Sequence, residues 1–359
     1  MTDSIILKNF NSKYLGKMKN RTVMSAMTRN FADRNHYCTD EMAAYYERRA
    51  KDGVALILTE GIIIHPSADG YNNVPYIWKD EHAQSWEKAV NRVHECGSKI
   101  YAQLWHCGRI SHTDYTGGIA PVSSTNQQAS GINRQNNKPY SIPRALTKEE
   151  IPKIIEMFVN AAKKAFLAGF DGVELHCGHG YLVDQFFDAR VNDRSDEYGG
   201  SVEGRCRFVL ELVETMIKKI GNERLMIRIS PSRRAPPEVT TDSGGLYNWD
   251  NLDEMLEYLI PGLDKLGLRQ LDISCANANY FKTSGLMLRK IRKSWPYFLM
   301  GGASLTHQQA IKEVEDGLLD MVTWGRHILA NPDFISKLKN GEPLIEMTNE
   351  MRSILYYIN

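Results

Sequence analysis

The chain is expected to fold as a single (β/α)8 barrel, the TIM-barrel form of the α/β class, with extended loops after strands three and five. Three observations predict this. Short apolar runs alternate with longer amphipathic ones along the whole chain, the pattern of βα units around a parallel sheet. Eight such units fit within 359 residues, a length that leaves room for long loops. No G-x-G-x-x-G follows the first strand, which argues against an open dinucleotide-binding sheet. Neither a linker nor a shift of composition divides residues 1–359, so one domain is expected.

The units read in order. "RTVMSAM" (residues 21–27) is the first strand, followed by a helix "DEMAAYYERRAKD" from Asp40, with Thr39 placed to cap it. "VALILTEG" from Val54 is apolar enough to be covered on both faces, and a helix over 80–95 follows. "KIYAQLW" (99–105) is the third strand. The stretch 107–146 after it is rich in Ser, Gly, Asn, Gln and Pro, and reads as a functional loop or an insert. A helix then opens at a capping-box spacing, Thr147 to Glu150, and stops at Gly169. "GVELH" and "VEGRCRFVLELVETMIKKI" form the fourth unit. "LMIRIS", a Pro/Gly-rich loop and a helix over 249–266 form the fifth. "QLDIS" with a helix within 283–293, "YFLMGG" with one over 306–316, and "LDMVTWG" with the short "NPDFISKLKNG" complete the eight.

Composition narrows the function. With 44 basic and 43 acidic side chains the net charge is +1, so neither nucleic acid nor an anionic membrane is expected as a partner. No run of about twenty apolar residues is present to span a bilayer. The first residues hold too short an apolar run for an export signal. The six cysteines, at 38, 96, 107, 177, 206 and 275, form no C-x-x-C pair and no zinc-like spacing. A reducing cytoplasmic location follows as the expectation. No helix face is distinctive enough to choose between a monomer and a homo-oligomer.

In barrels of this kind the chemistry sits at the C-terminal ends of the strands. Those ends carry Thr28, Gly61, Gln103, His176, Arg228, Gly301 with Gly302, and Gly325 with Arg326. Glycines after strands seven and eight would expose backbone N–H groups, and the helix starts beyond them add positive dipole ends, a setting for a phosphate. Arg326 can add a charge-assisted hydrogen bond. A ring system tethered there would meet Gln103 and Arg228. An amide that both donates and accepts suits a pyrimidine-like edge, and a buried guanidinium needs an anion, either on a ligand or on a neighbouring carboxylate. "VELHCGHGYLVDQFF" (173–187) breaks from strand into His176, His179 and Tyr181 before an apolar helical run. From residue types alone these three could hold a metal, pack in a core or steer a substrate over a redox cofactor. No H-x-H lies on an early strand, and no metal is expected. Cys177 reads as a small packed thiol.

The stretches "NRTVMSAMTRN", "LILTEG", "QLWHCGRISH", "GFDGVELHCGHGYLVDQFFDARVNDRSDEYGG", "IRISP" and "WGRHILANPD" together resemble the old yellow enzyme family of FMN-dependent NAD(P)H oxidoreductases, over nearly the whole chain. The resemblance implies FMN as cofactor, NADH or NADPH as hydride donor, and a small electrophilic alkene as substrate. It implies that Ser25, Ala26, Met27, Thr28 and Gly61 line the flavin, and that Gln103 and Arg228 hold its pyrimidine half. It places the phosphate at Gly301, Gly302, Ala303, Gly325 and Arg326. It makes His176 and His179 the pair that grips the substrate oxygen, Tyr181 the proton donor, and Trp105 a wall of the pocket. Ala26 stands where the family commonly has proline, and "GGASLTHQQA" is longer than the family's usual segment. Simple NADH oxidation, amine-type oxidation and, more distantly, metal-dependent hydrolysis remain as alternative readings.

Overall fold

A computed structural model describes residues 4–232, 248–274 and 279–355. Eight parallel strands close into a barrel in chain order. They are β1 (Thr22–Met24), β2 (Leu56–Ile63), β3 (Lys99–Trp105), β4 (Gly172–Cys177), β5 (Leu225–Ile229), β6 (Gln270–Ile273), β7 (Phe298–Ala303) and β8 (Met321–Trp324). The covering helices include α1 (Asp40–Asp52), α2 (Asp80–Glu95) and α3 (Ile151–Leu167). The fold class is as expected, and among the described residues no helix is long and apolar enough to cross a membrane.

Several boundaries fall where local chemistry placed them. The Thr39 hydroxyl accepts from the Met42 N–H at 3.2 Å and starts α1. The capping box expected at Thr147 forms only in part. The Thr147 N–H reaches the Glu150 carboxylate at 2.8 Å, but Arg144 also claims that carboxylate in a two-pronged pair, and the helix begins at Ile151. β1 ends at Met24, so residues 25–28 leave the sheet and form part of the barrel rim. A two-stranded hairpin, Phe10–Ser12 with Gly16–Met18, was not expected, because three-residue strands show no readable period. Leu15 and Met18 from this hairpin pack with Leu56, Tyr101, Met226 and Met300, beneath the barrel interior. The Pro/Gly-rich loop after β5 lies at 233–247, outside the described residues.

Side chains alternate across a strand, so each strand that contributes an apolar residue low in the barrel contributes its next inward residue two positions later. Tyr101 gives way to Gln103 on β3, and Met226 to Arg228 on β5. The apolar lower layer is therefore topped by a polar one at the C-terminal end. Outside the strands, α2 presses Trp86 against Phe170 with ring centroids 5.5 Å apart. Burying one such aromatic side chain contributes about 2–3 kcal/mol.

Candidate active site

The floor of the barrel mouth is built by strand register. Gln103 lies beside Glu174 across β3 and β4, His176 beside Arg228 across β4 and β5, and Arg228 beside Asp272 across β5 and β6. Gln103 Nε2 donates to Glu174 Oε2 at 2.7 Å, and Arg228 Nε donates to Asp272 Oδ2 at 2.6 Å. Arg228 Nε also lies 3.5 Å from Glu174 Oε2. These residues are all buried. Of the two anion sources left open for the buried guanidinium, the fold itself supplies one, in Asp272. Arg228 still reaches the rim, where its Nη2 donates to Ser25 Oγ at 3.1 Å. Burial pushes the Glu174 carboxyl well above the carboxylate range, with Arg228 opposing and Asp272 reinforcing the shift.

A bulge in β2 shapes the next wall. Its register with β3 runs Leu58 to Tyr101 but Gly61 to Gln103, so β2 carries one extra residue. The Thr59 hydroxyl accepts from the Gln103 N–H at 3.1 Å. A Cβ at Gly61 would lie 2.5 Å from the Trp105 ring. The close approach this glycine permits is thus first of all that of the indole.

The segment after β4 brings three candidates together. His179 has φ of +58°, in the left-handed region, and the chain reverses there between Gly178 and Gly180. His176 and His179 rings lie 5.3 Å apart, and Tyr181 lies 4.9 Å from His176. Trp105 stands 4.8 Å from Tyr181 and 6.2 Å from His176. His179 Nε2 is 3.3 Å from Ser230 Oγ, at the end of β5. Asp184 anchors the turn, accepting from the Gly180 N–H at 2.6 Å and from Trp249 Nε1 at 2.7 Å.

Tyr71, which the sequence reading did not single out, completes this group. Its hydroxyl lies 2.7 Å from that of Tyr181. Burial first, and then the adjacent Tyr71, hold the Tyr181 phenol well above its ordinary value, so it keeps its proton at neutral pH. The long loop after β3 is ordered against the same residues. Tyr140, Ile110 and Ala129 form a small apolar cluster against Tyr181, and Asn133 Nδ2 donates to the Gly70 carbonyl at 3.3 Å. Gln185 ties loop to turn, accepting from the Arg109 N–H and the Ser123 hydroxyl while donating to the Cys107 and Gly180 carbonyls.

The rim candidates are distributed differently from expectation. Gly301 and Gly302 lie inside β7, as the run "YFLMGG" has them, and with Ala303 they pair with Val322, Thr323 and Trp324 rather than forming a turn beyond the strand. A Cβ at Gly302 would strike the Thr323 carbonyl oxygen, so close strand packing already requires a glycine there. The helix after β7, His307–Glu315, closes its own start through a capping box of Thr306 with Gln309. After β8, Gly325 is half-buried and directly precedes the short helix Arg326–Ala330, while Arg326 is exposed. Ser25, Ala26, Met27 and Thr28 are half-buried on the adjoining part of the same mouth, where the Ser25 N–H donates to the Trp324 carbonyl at 3.0 Å and Met27 lies against Gly325. These residues fit a flat heteroaromatic group with an anionic tail. Arg228 donates toward Ser25 on the rim, the 25–28 edge is left partly uncovered, and Gly325 with Arg326 offers a cationic corner.

A histidine pair, a neutral phenol and an arginine-bearing polar floor at the mouth of a (β/α)8 barrel fit a cofactor-dependent oxidoreductase, and the likeness to known proteins shows that class. Residues 12–344 match the sequence profile of the NADH:flavin oxidoreductase / NADH oxidase family, and the chain belongs to that family, the old yellow enzymes. The 12-oxophytodienoate reductase 1 of Oryza sativa subsp. japonica is 34% identical over 333 residues, covering 91% of this chain and 84% of that protein. A Leishmania infantum protein described as a probable flavin mononucleotide-dependent alkene reductase is 35% identical over 335 residues, covering 91% and 88%. The solved structure of the old yellow enzyme homologue from Zymomonas mobilis superposes with a TM-score of 0.88 at 30% identity, covering 97% of this chain and 96% of that one. The protein is an FMN-dependent oxidoreductase that draws on NADH or NADPH.

Proposed function

We propose that this enzyme reduces small alkenes activated by a carbonyl or nitro group, and that the observation carrying this reading is the Tyr181 phenol held 4.9 Å, ring to ring, from His176. FMN, when bound, supplies the hydride that it has taken from NADH or NADPH to the β-carbon of such an alkene. Charge then develops on the substrate oxygen. His176 and His179 are read as the donors that meet it, acting as an oxyanion hole does. Tyr181 is read as the acid that gives its proton to the α-carbon, and its raised proton affinity keeps it loaded at neutral pH. Trp105 and Tyr71, with ring centroids 4.7 Å apart, wall the pocket behind it.

In this reading Gln103 and Arg228 lie under the pyrimidine half of the flavin, with Ser25, Ala26, Met27, Thr28 and Gly61 along its edge. Gly301, Gly302, Ala303, Gly325 and Arg326 lie toward its phosphate. Residues 1–359 act as one unit, and a cytoplasmic location agrees with the free thiols of Cys38, Cys96, Cys107, Cys177 and Cys206. The test is an anaerobic titration. NADH or NADPH should bleach the flavin band, and cyclohexenone should restore it. A band that bleaches but returns only with oxygen would favour plain NADH oxidation.

A further inference from the structure

The barrel floor places two carboxylates against one guanidinium. Glu174 and Asp272 are both fully buried, and Arg228 lies between them. With Arg228 charged and both acids ionised, the cluster would carry an uncompensated negative charge in the barrel interior, which is strongly disfavoured. Two oxygens mark the same conflict. Glu174 Oε1 and Asp272 Oδ1 are buried and have no donor among the described residues. One proton held by the pair removes the excess charge and supplies the missing donor.

We propose that Glu174 and Asp272 hold a single proton between them beneath the pyrimidine end of the flavin, and that Glu174 is a positioning residue that orients Gln103 and keeps the charge under the ring at zero. The charged groups set against Glu174 are Arg228 from β5 and Asp272 from β6; His176 follows on the same face of β4, and Cys177, on its other face, is a thiol that burial keeps neutral. Gln103 from β3 completes the surround through its 2.7 Å bond to Glu174. Two-electron reduction makes the pyrimidine end of a flavin anionic. Loss of the shared proton would leave a net negative charge beneath that anion and oppose reduction. The pair therefore couples the flavin potential to pH, since reduction draws the proton back.

This inference rests on the placement of the pyrimidine half over Gln103 and Arg228, and it needs no alkene. The experiment is an anaerobic redox titration of the FMN-loaded enzyme from neutral to alkaline pH. In the wild type, potential should fall more steeply over the range in which the oxidised enzyme has lost the shared proton and the reduced enzyme retains it. Glu174→Gln, which stays neutral, should lose that extra slope and keep a higher potential at alkaline pH. Asp272→Asn should lose it as well. Lines of equal slope in wild type and variants would overturn the proposal, and a purely structural role would weaken FMN binding without altering slope. The wild type alone provides a second readout. Its reduced-minus-oxidised infrared spectrum at alkaline pH should gain a carboxylic-acid carbonyl band, and absence of that band would also overturn the proposal. If Arg228→Lys shifts the potential while Glu174→Gln leaves the slope unchanged, the flavin placement stands and the shared proton fails. If neither variant moves the potential, the placement itself fails.

Discussion

The hydroxyl oxygens of Tyr71 and Tyr181 lie 2.7 Å apart, although the two residues come from different strand-end loops and are 110 positions apart in sequence. If Tyr181 acts as the proposed acid, the Tyr71 hydroxyl is placed to donate to its oxygen once the proton has left. It also fixes the phenol beside His176, where a substrate oxygen would be gripped.

Replacing Tyr181 with Phe is expected to leave flavin reduction by NAD(P)H intact while slowing alkene reduction by about 10²-fold or more, the usual range for loss of a general acid. Tyr71→Phe should slow the same half-reaction by about threefold to tenfold, the worth of one hydrogen bond. Stopped-flow measurement of the two half-reactions separates these effects. Equal slowing of both half-reactions in Tyr181→Phe would remove it as the proton donor.

The double variant His176→Ala, His179→Ala should weaken binding of a phenol such as p-hydroxybenzaldehyde by roughly 10²-fold, through loss of two donors to an anionic oxygen. The long-wavelength band of a phenol stacked on the flavin reports its affinity. Unchanged affinity would place the histidines outside the pocket.

Gly61→Ala sets a methyl group against the Trp105 ring, where the structure leaves 2.5 Å. The indole must move, at a cost of about 1–3 kcal/mol, and the wall of the pocket moves with it. Thermal unfolding should show the loss of stability, and the phenol titration should show an altered pocket. An unchanged melting temperature would mean that the ring has room to shift.

Glu60 yields a pH prediction. Burial pushes its carboxyl up to about 7, against contacts from Arg29 and Tyr46 that lower it. The folded-state value lies above that of the unfolded chain. The contribution of this group to stability is therefore full below the ordinary carboxylate range and is lost as pH rises through about 7. The total change is roughly 3 kcal/mol. Glu60→Gln should flatten this part of the stability–pH curve in denaturant titrations. A variant with the same slope as the wild type would show that the slope arises elsewhere.

Much of the fold was legible because it is written in short-range patterns. The run "KIYAQLW" is bounded as β3 at Lys99–Trp105, and "VEGRCRFVLELVETMIKKI" forms one helix, Val202–Ile220, since period and capping depend on near neighbours. The turn holding His176, His179 and Tyr181 was visible for the same reason, as an apolar strand broken by polar residues before a helical run. The N-terminal hairpin was not visible, because its strands are too short for a period and its stability comes from Leu15 and Met18 packing under a barrel formed later in the chain.

The sequence by itself determined the eight alternating units, the inward faces of the strands and the local turn after β4, because each is set by the alternation of side chains and by steric preferences within a few residues. Only the tertiary structure decided that Asp272 meets Arg228, that Tyr71 reaches Tyr181, and that Gly302 packs against the Thr323 carbonyl. Those outcomes depend on the stagger at which neighbouring strands close the barrel and on where loops from separate units converge. The two-residue alternation shows that a side chain points inward, and the closure of the sheet chooses what it meets there.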